Sequence, residues 1–134
     1  MITREADYAI RTILYLAQNN EANRHTPASV NLIAEKMNVP YRFLRRISRA
    51  LQAHGLIESI RGKDGGMLLI KKLEDISLGE IINIVNPQSI KLNLCLLDED
   101  NCTRKSYCKV HFAMERLQKK LDAELSNITF DKLI

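Results

Sequence analysis

The sequence predicts a mainly α-helical chain that carries one small β-hairpin. Three observations point that way. Glycine (5) and proline (3) are scarce in 134 residues, while Leu, Ile, Arg and Lys, all at home in helices, are plentiful. Apolar residues recur with helical period in several separate stretches. One glycine-rich segment, Gly62-Lys63-Asp64-Gly65-Gly66, lies between two short β-branched and apolar runs, as a hairpin tip would.

Taken in order, residues 4–18 read as a helix with Thr3 as its cap and Ala6, Ile10, Ile13, Leu14 and Ala17 as its inner face. The polar run from Asn19 to Pro27 reads as a loop. A second helix follows Ser29, with Val30, Ile33, Ala34 and Met37 inward, and Asn38-Val39-Pro40 breaks it. Pro40 suits the first turn of a third helix, which runs to about Ala53 and stops at His54-Gly55. Residues 56–61 and 67–71 are the hairpin arms. Ser77 and Glu80 have capping-box spacing before a short fourth helix through Ile81, Ile82 and Val85, which Pro87 ends. Residues 88–108 show no period, and a long helix returns from Lys109 to about Asn127.

Three helices followed by a glycine-tipped hairpin define a winged helix-turn-helix, here with a long C-terminal helix appended. In that design the third helix enters the DNA major groove and the wing reaches the backbone or minor groove. The third helix divides its faces accordingly. Leu44, Ile47 and Leu51 point inward, and Arg42, Arg45, Arg46 and Arg49 lie opposite, with no acidic residue between Tyr41 and Ile57. An arginine fork pairs with phosphate or with guanine O6 and N7. Tyr41 at the helix start and Arg61, Gly62 and Lys63 on the wing complete the candidate surface for double-stranded DNA. The plainer alternative is a solvated basic face.

The charge balance agrees. The net charge of +4 divides into +6 on residues 1–72 and −2 on residues 73–134, so the front half is the part suited to a polyanion. We therefore expect a DNA-binding domain over 1–72 and a second region over 73–134, containing a sensor loop at 88–108 and a dimerisation helix. A hydrophobic fraction of 46% and a charged fraction of 27% exclude a disordered chain. No run approaches the roughly 18 uninterrupted apolar residues of a membrane span. The charged start, Arg4-Glu5-Ala6-Asp7, is unlike a signal peptide, so the expected location is the cytoplasm.

Cys95, Cys102 and Cys108 fall within one short segment and nowhere else. An odd number of cysteines in a reducing compartment points to metal or redox chemistry rather than a disulfide framework. Thiolates favour zinc, copper(I) or iron–sulfur clusters. Structural zinc sites usually pair ligands about two to four residues apart, and these gaps are wider, as a loop around a cluster requires. A cluster normally takes four protein ligands, so the fourth must be another side chain. A metal-free thiol switch or a structural zinc site is the alternative. Arg104, Lys105 and Lys109 would stabilise thiolates or form a solvated rim, and Asp98-Glu99-Asp100 reads as exposed loop.

The chain resembles the bacterial Rrf-two family of transcriptional regulators. The resemblance rests on Asp7-Tyr8-Ala9-Ile10-Arg11, Ile33-Ala34-Glu35, the wing from Leu56 to Gly66, Cys108-Lys109-Val110-His111 and the ending Asn127 to Leu133. It spans essentially the whole chain, and the Arg61-Gly62-Lys63-Asp64-Gly65-Gly66 wing is its most specific element. It implies a homodimeric winged helix-turn-helix regulator, often a repressor, that carries a [2Fe-2S] or [4Fe-4S] cluster and senses cluster status, nitric oxide, iron or redox state. Arg61 matches the family's groove-contacting arginine. Where the IscR-like branch has a glutamate on the recognition helix this chain has Arg45, which favours guanine over cytosine N4, so its operator should differ.

The resemblance also offers two fourth ligands. Cys108-x-x-His111 at a helix start resembles the IscR-like arrangement. The Asp7 context resembles the NsrR-like branch, in which an aspartate reaches the cluster from the partner subunit. Proximity favours His111. The last helix spaces Val110, Met114, Leu117, Leu121, Leu125 and Ile128 as one narrow seam on a rod about 28 Å long, which suits pairing with a symmetry mate on a pseudo-palindromic operator. No phosphate loop, Cys-x-x-Cys or histidine–carboxylate–nucleophile constellation is present, so no enzyme is expected. His25 and His54 read as surface or capping residues.

Overall fold

The computed structural model describes residues 1–23, 26–97 and 101–134, and the side chains of 21–23 are left aside. His25 and the Asp98-Glu99-Asp100 run lie outside the described residues. The elements are α1 (Arg4–Asn23), α2 (Val30–Met37), α3 (Tyr41–Ala53), β1 (Ile57–Ile60), β2 (Gly66–Leu69), α4 (Leu78–Val85) and α5 (Lys109–Asn127). Short 3₁₀ turns stand at Leu73–Asp75, Leu94–Leu96 and Phe130–Lys132. The fold is a winged helix-turn-helix with a long C-terminal helix, as the sequence indicates.

Each boundary has a local cause. Thr3 caps α1, its Oγ1 accepting from the Ala6 N–H (3.3 Å), and it also accepts from the Asn86 side chain (3.0 Å), tying the start of α1 to the end of α4. Asn38 takes the left-handed conformation after α2 (φ 53°), and Gly55 does the same after α3 (φ 72°), which stops each helix. Ser77 caps α4 by accepting from the Glu80 N–H (3.1 Å). The reciprocal half of the box is replaced: the Glu80 carboxylate takes Lys71 Nζ at 2.7 Å instead.

β1 and β2 pair antiparallel, Ile57 with Leu69 and Ile60 with Gly66. Ala28 adds a third edge by exchanging two hydrogen bonds with Met67, both 2.8 Å. Gly66 makes this possible, because a side chain there would run into the Ala28 carbonyl.

α1 is longer than expected. Asn19 to Asn23 continue the helix rather than opening the loop. The reason is tertiary: Asn20 Nδ2 donates to the Leu69 carbonyl (3.0 Å) and Asn19 Nδ2 to the Thr26 carbonyl (2.9 Å). The inner stripe of α1 is also rotated from the expected one. Ala6, Ala9, Ile13, Leu16 and Ala17 are buried, and Ile10 and Leu14 only flank the core. Small alanines let α3 and α4 approach closely on that side.

α3 behaves as predicted, with Leu44, Ile47 and Leu51 fully buried. One core holds α1, α3 and the hairpin together with Ile76, Ile81 and Phe130. Paired backbone hydrogen bonds, Leu78 N–H to Ile128 and Phe130 N–H to Ile76, lock the C-terminal segment onto the start of α4.

Candidate functional site

The first candidate surface is the outer face of α3. Its amphipathic period buries three apolar residues, which leaves Tyr41, Arg42, Arg45, Arg46 and Arg49 exposed side by side. Arg61, Gly62 and Lys63 are exposed at the wing tip. The arginines are not equivalent. Arg42 and Arg46 both lie over the Phe43 ring, their guanidinium carbons 5.0 and 5.5 Å from its centre. Phe43 is in turn backed by Tyr8 of α1, with ring centres 5.5 Å apart. Arg46 Nε also donates to Glu5 Oε1 at 2.6 Å. Sequence reading missed Glu5, Tyr8 and Phe43. An aromatic residue set between basic ones was the available signal, whereas Glu5, 41 residues distant, gave none.

The second candidate is the cysteine segment. Cys95, Cys102, Cys108 and His111 all line one open cavity of about 310 Å³, together with Asn93, Arg104 and Val110. Two elements place them. The 3₁₀ turn Leu94–Leu96 carries Cys95, and the first turn of α5 carries His111 with Cys108 as its N-cap. Cys108 Sγ accepts from the His111 N–H (3.5 Å), and the His111 Nδ1 lies 3.4 Å from Cys95 Sγ. All three cysteines are free.

This donor set fits an iron–sulfur cluster. Three soft thiol donors and an imidazole share one open concavity, and Arg104 puts a positive charge on its rim. Asp7 is not part of this lining. It sits on α1 paired with Arg11 at 2.7 Å, and Arg11 further donates to the Met37 carbonyl (3.3 Å).

The cysteine segment is held to α5 by Gln118, the buried residue of that helix (4% exposed). Its Oε1 accepts from the Leu92 N–H (2.8 Å), and its Nε2 donates to the Ile90 carbonyl (3.3 Å) and to Asp122 (2.8 Å). α5 therefore meets its own chain along a partly polar stripe. The apolar seam is divided: Val110 (58%) and Leu117 (49%) stand exposed, whereas Met114, Leu121, Leu125 and Ile128 are half-buried, Leu125 beside Gly79 of α4.

The family model described as Rrf2, iron-dependent transcriptional regulator, matches residues 2–134. The chain belongs to the Rrf2 family. It is 30% identical over 133 residues to the HTH-type transcriptional regulator IscR of Escherichia coli, covering 99% of this chain and 79% of that one. Among solved structures it is similar to T. potens IscR (TM-score 0.71, 26% identity, 99% and 85% of the two chains). It is similar as well to the oxidised form of Staphylococcus aureus CymR (TM-score 0.75, 25% identity, 99% and 94%).

As an Rrf2 chain this protein is a DNA-binding transcriptional regulator, not an enzyme. Among the described residues no helix is long and apolar enough to cross a membrane.

Proposed function

We infer that this Rrf2 regulator is a cytoplasmic homodimer that represses transcription and reports iron–sulfur cluster status, nitric oxide, iron or redox state through Cys95, Cys102, Cys108 and His111. The observation that carries this reading is the convergence of those four side chains on one cavity at the base of α5. A bound [2Fe-2S] or [4Fe-4S] cluster would supply redox and nitric-oxide reactivity there. The chain supplies the rest. Three thiolates and an imidazole bind it, and Arg104 offsets its negative charge. Cys108 links its binding to the capping of α5.

Residues 1–72 act as the DNA-reading head and 73–134 as the sensing and pairing region, and both draw on the single core. Tyr41, Arg42, Arg45, Arg46 and Arg49 meet the major groove of a pseudo-palindromic operator, and Arg61, Gly62 and Lys63 meet the backbone or minor groove. Dimerisation is supported by the exposed apolar residues of α5, Val110, Phe112 and Leu117, which a second copy would cover by two-fold symmetry. The cluster loop lies between the head and the pairing helix, so ordering it sets the spacing of the two heads.

Anaerobic isolation with iron and sulfide analysis and a visible spectrum tests this. We expect coloured, iron-containing protein, and colourless protein after replacing Cys95, Cys102 and Cys108 by alanine. Iron-free protein whose DNA binding depends on oxidation would favour the competing reading, a metal-free thiol switch, which the similarity to oxidised CymR and the three free cysteines support. Stoichiometric zinc, lost together with the fold, would favour a structural zinc site.

A further inference from the structure

We propose that Glu5 is a positioning residue for base recognition, holding Arg46 so that this arginine, among the four on α3, reads a guanine in each half-site.

The inference rests on the reading of α3 as the groove-entering helix, and three geometric facts carry it. First, Glu5 takes Arg46 through Nε at 2.6 Å. Nε is the inner nitrogen of the guanidinium, so both terminal amino groups keep their donors for an outside partner. Those two groups are the ones that span guanine O6 and N7. Second, the guanidinium is packed against the Phe43 ring, which Tyr8 backs from α1. Its position is thus held by an aromatic ring as well as by the carboxylate. Third, the pair is unevenly exposed: the Glu5 side chain is 17% exposed and that of Arg46 65%. The carboxylate is mostly withdrawn while the arginine head stands out.

The other arginines lack this support. Arg42 shares the Phe43 ring, but among the described residues Arg42, Arg45 and Arg49 form no ion pair. Unrestrained arginines adapt readily to phosphates, which position a protein without specifying sequence. A held arginine loses less freedom on binding and tolerates fewer partners, which is how a contact becomes selective. A carboxylate this close to the DNA face otherwise opposes binding to a polyanion.

The test begins by selecting duplexes from a randomised pool with wild-type dimer, then repeating the selection with Glu5→Gln and with Arg46→Lys. Affinities for a wild-type-selected duplex and a scrambled one of equal length follow, with thermal melts to confirm folding. We expect Glu5→Gln and Arg46→Lys to relax the same guanine position, by about tenfold. Glu5→Gln should leave binding to the scrambled duplex equal or tighter, because it removes a negative charge. Glu5→Asp should recover part of the preference.

Relaxation at different positions, or no change in preference with Glu5→Gln, would overturn the proposal. So would equal shifts on both duplexes, which would make Glu5 a mere charge. If wild-type protein selected no sequence at all, the reading of α3 itself would fail instead.

Discussion

The His111 Nδ1 stands 3.4 Å from Cys95 Sγ across 16 residues of chain. That contact closes the cysteine segment against the first turn of α5, whose cap is Cys108. A histidine merely capping a helix would not need to meet a second cysteine. His111→Ala should therefore strip most of the iron and sulfide from anaerobically isolated protein or shift its visible spectrum. Asp7→Ala, which breaks only the pair with Arg11, should leave both unchanged. Iron analysis and absorption spectra of the two variants make the comparison.

Leu117 lies midway along α5 and is 49% exposed. Leu117→Glu should leave the melting temperature of the monomer fold nearly unchanged but place unpaired charges in a two-fold interface. Sedimentation is expected to show monomer where the parent protein is dimer. Operator affinity should fall with it, because each half-site then binds alone.

Phe130 is fully buried in the core that also holds α1 and α3. Phe130→Ala should cost about 3–5 kcal/mol. Denaturant unfolding should still show a single transition, because the C-terminal segment and the N-terminal head share that core. Two separated transitions would show that the regions before and after residue 72 unfold independently.

Gln118→Leu removes the partners of the Leu92 N–H and the Ile90 carbonyl. A destabilisation of about 1–3 kcal/mol is expected, concentrated where the cysteine segment crosses α5. Hydrogen exchange at the Leu92 amide should accelerate, and iron retention should weaken although no ligand has changed.

Much of this was legible in the sequence because it depends on local period and turn chemistry. Leu44, Ile47 and Leu51 announce their helix and its buried face, which leaves the arginines outside. The glycines of the wing and Gly55 mark turns that other residues would resist. Contacts between distant segments left no such trace. Asn19 and Asn20 look like loop residues until Thr26 and Leu69 accept their amides. Gln118 looks like a surface residue until the 90–92 backbone pairs with it. Glu80 satisfies the capping-box spacing, yet Lys71 takes its carboxylate. The cysteines were visible as a set, but only the fold brings His111 against Cys95.

If a cluster on Cys95, Cys102, Cys108 and His111 governs DNA binding, removing it must change the affinity for the operator. The most direct measurement is the affinity of anaerobically isolated protein for its selected operator, by fluorescence anisotropy, before and after the iron is removed by a chelator. The two states should differ by about 5–150-fold, and the triple cysteine-to-alanine variant should show one affinity whatever the treatment. Equal affinities for iron-loaded and iron-free parent protein would contradict it.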